Sequence, residues 1–334
     1  MEQDMRYIYR VYQEGSFSKA AEKLYLTQPA LSIAIKRVED SIGAALFDRN
    51  RHPLELTEAG RAYIRAIEQV RDLEDDLERE ISDLRDLQTG KLLVGGTHYL
   101  NCYILAGILS RFSRKYPGVH IGLVEKGSDE LITELEERRL DLTFSCDPEL
   151  IGRFEHRPAF QDMILLAVPK SFLTGTELEK EALTAAQIMA GKHLLSDCPK
   201  VPLNCFQEME FILLGPGNHL YSRNLRMFEQ AGFTPKIKMT LAQLVTAYRL
   251  ADNEMGITFI ADRMVRSPVS NLMFFRIDSE LAERHFHILL PKRNYTAHAV
   301  RAFADYAVSE LKNETRKFLH GQSPQAFSEL LWHA

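Results

Sequence analysis

The fold is decided by residues 15–32, which run GSFSKAAEKLYLTQPALS. Ser16 precedes a run of helix-forming residues, and its hydroxyl is suited to cap the N-terminus of a helix. Thr27 is suited to cap a second helix, in which Pro29 falls in the first turn, where a missing N–H costs little. The stretch therefore predicts two short helices joined by a tight turn.

The second of these helices is predicted to be amphipathic and to end near Gly43. Leu31, Ile35 and Val38 follow the helical repeat and form a buried stripe. The polar residues that then point away from the core are Gln28, Ser32, Lys36 and Arg37.

A β-wing is predicted after the second helix. Leu46-Phe47 and Leu54-Glu55-Leu56 form two short apolar stretches around residues 48–53, which run DRNRHP. Arg49 and Arg51 are placed by this pattern at the tip of the wing.

A long amphipathic helix is predicted from Glu58 to Gln88. Its apolar residues recur in steps of three and four, at Tyr63, Ile67, Val70, Leu73, Leu77, Ile81, Leu84 and Leu87. A helix of this kind is not stable alone in water and needs a partner surface. We favour a linker that forms a dimer; the alternative is a helix that packs on its own domain.

Strands and helices alternate from residue 90 onward, which predicts an α/β domain with a mostly parallel, doubly wound sheet. The predicted strands cover about 91–95, 119–124, 141–144, 163–168, 210–214, 236–239, 256–260 and 286–290. The predicted helices cover 101–116, 128–138 and 240–252, with a last one from about 297.

These residues resemble the LysR-type transcriptional regulators over nearly the whole chain. The resemblance is most specific in the N-terminal stretch, and it includes Leu46-Phe47, Arg49 and residues 56–60, which run LTEAG. It is looser in the second half, through Tyr116-Pro117 and Leu140-Asp141-Leu142. The chain departs from the family pattern at Ile33, Arg139 and Ala261, where the family usually has a polar residue, Gly and Pro.

The resemblance implies the domain organisation. A winged helix-turn-helix would occupy residues 1–57, a linker and dimerisation helix 58–89, and an effector-binding domain 90–312. The last would be two-lobed, like periplasmic solute-binding proteins, with lobe I at about 90–163 and 266–312 and lobe II at about 164–265. Residues 313–334 would form a C-terminal tail.

The candidate DNA-binding residues lie on the second helix, at its start and on the wing. Gln28 is suited to pair with adenine, and Ile33 to meet a thymine methyl group. Lys36 and Arg37 are suited to phosphates, which fix the register of the protein on DNA. The complete set is Ser16, Thr27, Gln28, Pro29, Ser32, Ile33, Lys36, Arg37, Arg49 and Arg51, of which the resemblance itself implies Thr27, Pro29 and Ser32.

The candidate effector-binding residues follow strands or begin helices, where free N–H groups favour anions. They are Thr97, His98, Ser128, Asn218, His219 and Thr258. The resemblance implies an effector such as a small carboxylate or amide. For Ser128 and Asn218 the alternative role is helix capping, and for His219 it is an ordinary surface or core position.

Other classes of protein have little support in the sequence. We find no GxSxG, P-loop, HExxH or GxGxxG pattern, so no catalytic residue, metal site or cofactor is predicted. No apolar run reaches the roughly 18 residues that span a bilayer, and the N-terminus is unlike a signal peptide. We therefore expect a cytoplasmic protein that does not enter a membrane.

Cys198 and Cys205 invite a redox hypothesis, which their spacing alone does not support.

Charge sets a constraint on this interpretation. The net charge is -5, and residues 1–57 contain equal numbers of basic and acidic residues. Binding to DNA therefore requires that the positive charges gather on one face.

We predict a ligand-responsive transcriptional regulator that binds double-stranded DNA and a small-molecule effector as a homodimer or homotetramer. The alternatives are an enzyme built on the α/β domain or a ligand-binding module without a role in DNA binding.

Overall fold

The computed structural model describes residues 3–49, 54–83, 90–292 and 295–320, with side chains at all of these positions except 79, 82 and 314–320. The chain divides into two units. The first contains the described residues up to 83 together with 295–297, and the second contains those from 90 to 292 together with 298–320.

The first unit is a three-helix domain with a two-stranded wing and a long helix. Its elements are α1 (Gln3–Glu14), α2 (Phe17–Lys23), α3 (Gln28–Ile42), β1 (Phe47–Asp48), β2 (Glu55–Leu56) and α4 (Glu58–Asp83). Strands β1 and β2 are antiparallel, with Phe47 opposite Leu56. The predicted tip residue Arg51 lies outside the described residues.

Both predicted helix caps are confirmed. The Ser16 hydroxyl accepts a hydrogen bond from the Lys19 N–H at 3.4 Å, and the Thr27 hydroxyl accepts one from the Ala30 N–H at 3.4 Å. Helix α3 ends at Gly43, whose φ of 73° is left-handed and therefore suits glycine. These caps fix where α3 starts and ends, and the burial of Leu31 and Ile35 determines which of its sides faces outward.

A single hydrophobic core holds this unit together. Leu31 and Ile35 of α3 are buried in it with Ile8, Val11, Ala20, Ala21, Leu46, Phe47, Ile64 and Ile67. Gly60 is required where α4 begins, because a Cβ atom there would lie 2.0 Å from the Leu46 carbonyl oxygen. The small residue lets the start of α4 lie directly against the start of the wing.

The apolar stripe of α4 divides into two parts. Ile67 is buried, and Tyr63 packs against the same core. Leu73 and Leu77 are each 56% exposed and Ile81 is 48% exposed. The first half of the helix therefore packs on the core of the helix-turn-helix, while the apolar side of the second half is exposed in the single chain. The second half is not without contacts, since Asp76 is buried and Asp83 accepts a hydrogen bond from the Tyr295 hydroxyl at 2.7 Å. The predicted positions Leu84 and Leu87 lie outside the described residues.

The second unit contains nine strands and nine α-helical segments within its described residues. The strands are β3 (Gly90–Gly96), β4 (Val119–Glu125), β5 (Thr143–Ser145), β6 (Glu155–Pro169), β7 (Glu210–Leu214), β8 (Lys236–Leu241), β9 (Thr258–Ala261), β10 (Leu272–Arg276) and β11 (Glu283–Leu290). The helices are α5 (His98–Leu100), α6 (Ala106–Lys115), α7 (Ser128–Glu136), α8 (Pro148–Ile151), α9 (Lys170–Leu173), α10 (Ala185–Met189), α11 (His219–Ala231), α12 (Leu244–Asp252) and α13 (His298–His320). A π-turn, Asn101–Leu105, joins α5 to α6.

The sheets are mixed rather than mostly parallel. Strands β3 and β4 are parallel, as are β7 and β8, and single parallel bridges join Val94 to Leu142 and Phe211 to Ile257. Strand β6, 15 residues long, runs antiparallel to β9, β10 and β11. The predicted parallel strands exist, but antiparallel strands connect the two lobes.

Strand β6 belongs to both lobes, because its first half pairs with β11 and its second half with β9 and β10. The chain returns to lobe I between Arg276 and Glu283. Our predicted return at about 266 is therefore too early, since residues 272–276 pair with residues 165–169 of lobe II. The sequence analysis did not predict β10. Without this strand, nothing in the sequence showed how far lobe II extends before the chain returns to lobe I.

Two of the departures from the family pattern have a structural explanation. Arg139 donates to the Glu134 carboxylate at 2.7 and 3.0 Å. These hydrogen bonds, followed by that of Lys126, lower the pKa of Glu134 to about 2. Ala261 is fully buried at the end of β9, opposite Ile164. Both residues therefore serve the local structure.

A buried ion pair joins β6 to β11 just before β6 enters lobe II. Asp162 and Arg284 lie directly opposite each other, and Arg284 donates from Nε to Oδ1 at 2.7 Å and from Nη2 to Oδ2 at 2.5 Å. Tyr99 donates from its hydroxyl to Asp162 Oδ2 at 2.7 Å. Burial, and next the Asp162 carboxylate, raise the pKa of Tyr99 well above its usual value, so its hydroxyl remains a donor. This cluster fixes the crossing point between the lobes.

Removing one charge of this pair should be costly, because its partner would remain buried without compensation. We expect Asp162→Asn or Arg284→Met to lower the free energy of unfolding by about 3–5 kcal/mol. The measurement is urea unfolding of the full chain, followed by circular dichroism.

The matched control is Lys180→Ala, which removes one partner of an ion pair whose side chains are 72% and 89% exposed. That change should cost at most about 1 kcal/mol. Asp162→Leu combined with Arg284→Met should recover part of the loss, since no charge is left buried. If Asp162→Asn and Arg284→Met lowered the free energy of unfolding no more than Lys180→Ala does, the structural role of the buried ion pair would be wrong.

Candidate DNA interface and effector cleft

The outer side of α3 carries the predicted DNA-binding residues together. Gln28, Lys36 and Arg37 are exposed and Ser32 is half-buried, while Leu31 and Ile35 turn inward. Ile33 lies on the outer side too, with its side chain 55% exposed. Pro29 is at the first turn of the helix, and Ser16 and Thr27 cap the two helices of the motif. The helix thus presents one polar face that its own domain does not cover.

The inner side of α3 contains a buried carboxylate. Glu39 accepts hydrogen bonds from the backbone N–H of Leu46 at 2.8 Å and of Phe47 at 3.4 Å. Arg49 donates from Nη2 to the other oxygen of Glu39 at 2.9 Å. Glu39 therefore joins the start of the wing to the last turn of α3, and one of the acidic residues of this unit is paired inside it.

Arg49 lies at the end of β1, and its guanidinium bonds within the domain. Besides Glu39, it donates from Nη1 to the Ser32 hydroxyl at 3.2 Å, and it lies 5.0 Å over the Phe17 ring. Its side chain is 42% exposed. The residue that we expected at the tip of the wing thus connects the wing, α2 and the outer side of α3.

Thr97 and His98 follow β3, at the carboxyl edge of the β3–β4 pair, as predicted. Thr97 precedes α5, and its side chain makes no capping hydrogen bond. His98 Nδ1 lies 3.0 Å from Glu125 Oε1, at the end of β4, and His98 Nε2 lies 3.6 Å from Cys102 Sγ. Asn101 donates to the other oxygen of Glu125 at 3.1 Å. Sequence analysis missed these three neighbours of His98, although the i, i+4 spacing of His98 and Cys102 on a helix was visible.

The starts of α7 and α11 face each other across the lobes. His219 Nε2, at the first residue of α11 in lobe II, lies 3.1 Å from Asp129 Oδ1 in lobe I. One turn along α11, Arg223 donates to the Leu281 carbonyl at 2.9 Å and lies 3.5 Å from the Cys146 carbonyl. His219 is thus neither a core residue nor a free surface residue, and this face of α11 joins the lobes.

Of the two candidate residues for which helix capping was the alternative role, only Asn218 has that role in the structure. The N-cap of α7 is Gly127, whose N–H donates to the Glu130 carboxylate at 3.1 Å, so Ser128 is the first helical residue rather than the cap. Asn218 does cap α11, since its Oδ1 accepts from the Leu220 N–H at 2.9 Å. For Asn218 the capping alternative therefore describes what its side chain does here.

Thr258 is not brought to the cleft with the other candidates. It is buried, and its hydroxyl donates to the Ile212 carbonyl at 2.8 Å, so it links β9 to β7. Its side chain therefore joins two strands of lobe II, and its hydroxyl proton is used within the sheet.

The four cysteines are free thiols, of which Cys146 and Cys198 are buried and Cys102 and Cys205 exposed. Burial raises the pKa of Cys198, although Arg276 beside it acts in the opposite direction. The positive neighbour of Cys198 is therefore Arg276. Among the described residues, no three His, Cys, Asp or Glu side chains are placed to hold a metal ion. None of the described helices combines the length and apolar character that a membrane crossing requires.

Two family models match the chain. Residues 3–61 match the bacterial regulatory helix-turn-helix protein, lysR family, and residues 85–312 match the LysR substrate binding domain. Both describe parts of a regulator, which argues against the enzyme alternative.

Curated relatives and solved structures agree with these matches. The HTH-type transcriptional regulator YcgK of Bacillus subtilis is 28% identical over 313 residues, covering 92% of this chain and 94% of the relative. YnfL of Escherichia coli is 25% identical, covering 92% and 98%.

Among solved structures, full-length CbnR bound to its target DNA has a TM-score of 0.56 at 19% identity, covering 93% of this chain and 100% of that one. OxyR of Pseudomonas aeruginosa has a TM-score of 0.59 at 18% identity, covering 91% and 93%. The matched models span most of this chain, which therefore belongs to the LysR family of DNA-binding transcriptional regulators.

Proposed function

We propose that this regulator recognises its operator through the outer side of α3 and responds to a small molecule bound between the lobes of its second unit. The observation that carries the proposal is the uncovered polar face of a capped second helix in a helix-turn-helix. Such a helix enters the major groove with its N-terminal residues at the base edges. CbnR, which shares the fold, is seen bound to its target DNA.

The residues of α3 divide by the chemistry of their contacts. Gln28, at the exposed helix start, suits a bidentate contact with adenine, and Ile33 suits a thymine methyl group. Lys36 and Arg37, further along the helix, suit phosphates. Pro29 and the capping residues Ser16 and Thr27 support the proposal through the helix starts that they fix.

Ser32 has a defined hydrogen-bonding role in this proposal. Its oxygen already accepts from Arg49 Nη1, so its proton remains to be donated. We infer that Ser32 contacts an acceptor, which is a phosphate oxygen or an acceptor atom on a base edge.

The sensor part of the proposal rests on the contacts that join the lobes. His219 with Asp129, and Arg223 with the Leu281 and Cys146 carbonyls, hold α11 against lobe I. Arg266 also donates to the Tyr103 carbonyl at 2.9 Å. A ligand that prefers one arrangement of the lobes shifts the population toward it. Thr97, His98 and Ser128 border this cleft from lobe I, and Asn218 and His219 border it from lobe II.

Oligomerisation and location complete the proposal. The exposed Leu73, Leu77 and Ile81 recur every four residues on one side of α4, and a second α4 would cover them. We propose that the protein works in the cytoplasm, where bacterial DNA is accessible.

The function is tested by fluorescence anisotropy with the DNA upstream of the protein's own gene, beside a scrambled duplex of equal length. We expect selective binding that weakens steeply with salt. Gln28→Ala should weaken selective binding by about tenfold, since a bidentate base contact contributes about 1–3 kcal/mol. Gln13→Ala, an exposed glutamine on α1, is the control and should change nothing. Equal affinity for all genomic fragments, with and without metabolite extracts, would contradict the function.

The geometry of Arg49 predicts that it positions Ser32 rather than neutralising a phosphate. We expect Arg49→Ala to weaken binding to the selected duplex about tenfold while leaving the slope of log K against log salt unchanged. Lys36→Ala, by contrast, should reduce that slope by about 0.9 for each phosphate that the lysine neutralises. If Arg49→Ala reduces the slope as Lys36→Ala does, Arg49 contacts phosphate directly and the positioning role is wrong.

The exposed stripe of α4 predicts that oligomers depend on it. We expect the Leu73→Glu and Leu77→Glu double variant to have a lower molar mass by light scattering, because buried like charges would face each other. Asp75→Lys changes a charge two residues away from both, on the opposite side of the helix, and should leave the mass unchanged. A wild-type mass in the double variant would contradict the dimer role of α4.

A further inference from the structure

His98 joins an exposed thiol to a carboxylate at the carboxyl edge of the β3–β4 pair. Its Nε2 lies 3.6 Å from Cys102 Sγ and its Nδ1 lies 3.0 Å from Glu125 Oε1. Asn101 donates to Glu125 Oε2 at 3.1 Å and to the Gly96 carbonyl at 3.1 Å, which holds the carboxylate in place. The three groups form a chain of thiol, imidazole and carboxylate.

The carboxylate determines which nitrogen of His98 carries the proton. Hydrogen bonds from Asn101 and His98 lower the pKa of Glu125, so it is ionised and can only accept. Nδ1 of a neutral imidazole must then carry the proton, which leaves the lone pair of Nε2 directed at the thiol. This is the arrangement in which a base activates a neighbouring nucleophile.

The thiol at rest keeps its proton. Partial desolvation of the sulfur, and next the Glu125 carboxylate, raise the pKa of Cys102. Attack by this sulfur therefore needs a base that takes the proton as the new bond forms, and Nε2 of His98 is in position to do so.

The position of Cys102, His98 and Glu125 in the fold favours a role in ligand binding over a purely structural one. In α/β sheets ligands bind beyond the carboxyl ends of the strands, and this chain of groups lies where β3 and β4 end. Its helix contains the π-turn Asn101–Leu105, a feature found frequently at functional sites. Among the described residues no three His, Cys, Asp or Glu side chains are placed to hold a metal ion, and that includes Cys102, His98 and Glu125.

We propose that Cys102, His98 and Glu125 form a base-assisted thiol site that captures a small, uncharged α,β-unsaturated carbonyl compound as the effector. The proposal rests on the proposed function and names the ligand class for the lobe I side of the cleft. An uncharged ligand is expected because the Glu125 carboxylate would repel an anion.

The chemical step is a conjugate addition that needs no other reactant. His98 Nε2 takes the proton of the Cys102 thiol, and the sulfur forms a bond to the β-carbon. The π electrons of the C=C bond move through the α-carbon to the carbonyl oxygen, giving an enolate. His98 returns the proton to the α-carbon, so the net change is addition of S–H across C=C.

The first test measures how fast N-ethylmaleimide, an uncharged α,β-unsaturated carbonyl compound, labels each cysteine of the full chain, by peptide mass spectrometry. Cys205 is a built-in control, because it is the other exposed thiol. We expect Cys102 to react at least about tenfold faster, since a positioned base contributes about 10²–10⁴-fold. His98→Gln should bring Cys102 down to the rate of Cys205, and Glu125→Gln should lower its rate in part.

The rate at Cys205 should be the same in all of these variants, and the buried Cys146 and Cys198 should stay slow to react, which shows that the protein remains folded. Equal rates at Cys102 and Cys205, or a Cys102 rate that His98→Gln leaves unchanged, would overturn the proposal. Because this assay contains no DNA, its result does not depend on whether the protein recognises an operator.

The second test asks whether the adduct acts as an effector. We would label the Cys205→Ser variant and measure its affinity for the selected duplex, with the Cys102→Ser, Cys205→Ser double variant treated in the same way. A change in affinity of about tenfold that requires Cys102 supports the effector role. Fast labelling with no change in affinity would overturn that role. Absence of selective binding before labelling would instead count against the proposed function.

Discussion

The pairing of β6 is the constraint on which the second unit depends. This one strand is hydrogen-bonded to β11 in lobe I and to β9 and β10 in lobe II, so neither lobe is complete without it. Asp162 and Arg284 mark the position where it leaves lobe I. If the two strands slipped, the buried charges would separate and the cost of removing them from water would no longer be offset by their attraction. The ion pair therefore fixes the register of β6 against β11. The crossing between the two lobes is thereby held at a defined point of the strand.

A buried carboxylate has the same kind of role in the first unit. Glu39 receives two backbone N–H groups and one guanidinium from the wing, which also buries Phe47 in the core. In both units a charge inside the fold therefore joins segments that are distant along the chain. In both, the arginine that pairs with the carboxylate also contacts a second side chain: Arg49 donates to Ser32, a candidate DNA-binding residue, and Arg284 lies 5.5 Å over the Tyr99 ring.

Local signals predicted the helix caps, the two helices of the motif, the wing strands and the parallel strands. They failed where the structure of a segment is determined by its pairing with a segment distant along the chain. The first half of β6 is polar and contains Pro158, which argues against a strand, and the ladder accommodates it with a shift of register between Phe286 and His287. The burial of Glu39 was equally hidden, because its partners are backbone groups that only the folded wing supplies. Residues such as Glu125 enter the candidate site only once β3 and β4 are aligned.

The close approach of Gly60 to the Leu46 carbonyl has a geometric consequence for DNA recognition. Leu46 donates to Glu39 of α3 and accepts from Thr57 just before α4, so hydrogen bonds to this one residue join α3 to the start of α4. In a dimer, the two α3 helices would therefore be spaced and rotated as the two α4 helices dictate. One extra base pair between half-sites turns one of them by about 34° around the duplex, since B-DNA makes a turn in about 10.5 base pairs. The spacing between the two half-sites of an operator, which sets their relative rotation around the duplex, should accordingly matter to this protein as much as the base sequence of each half-site.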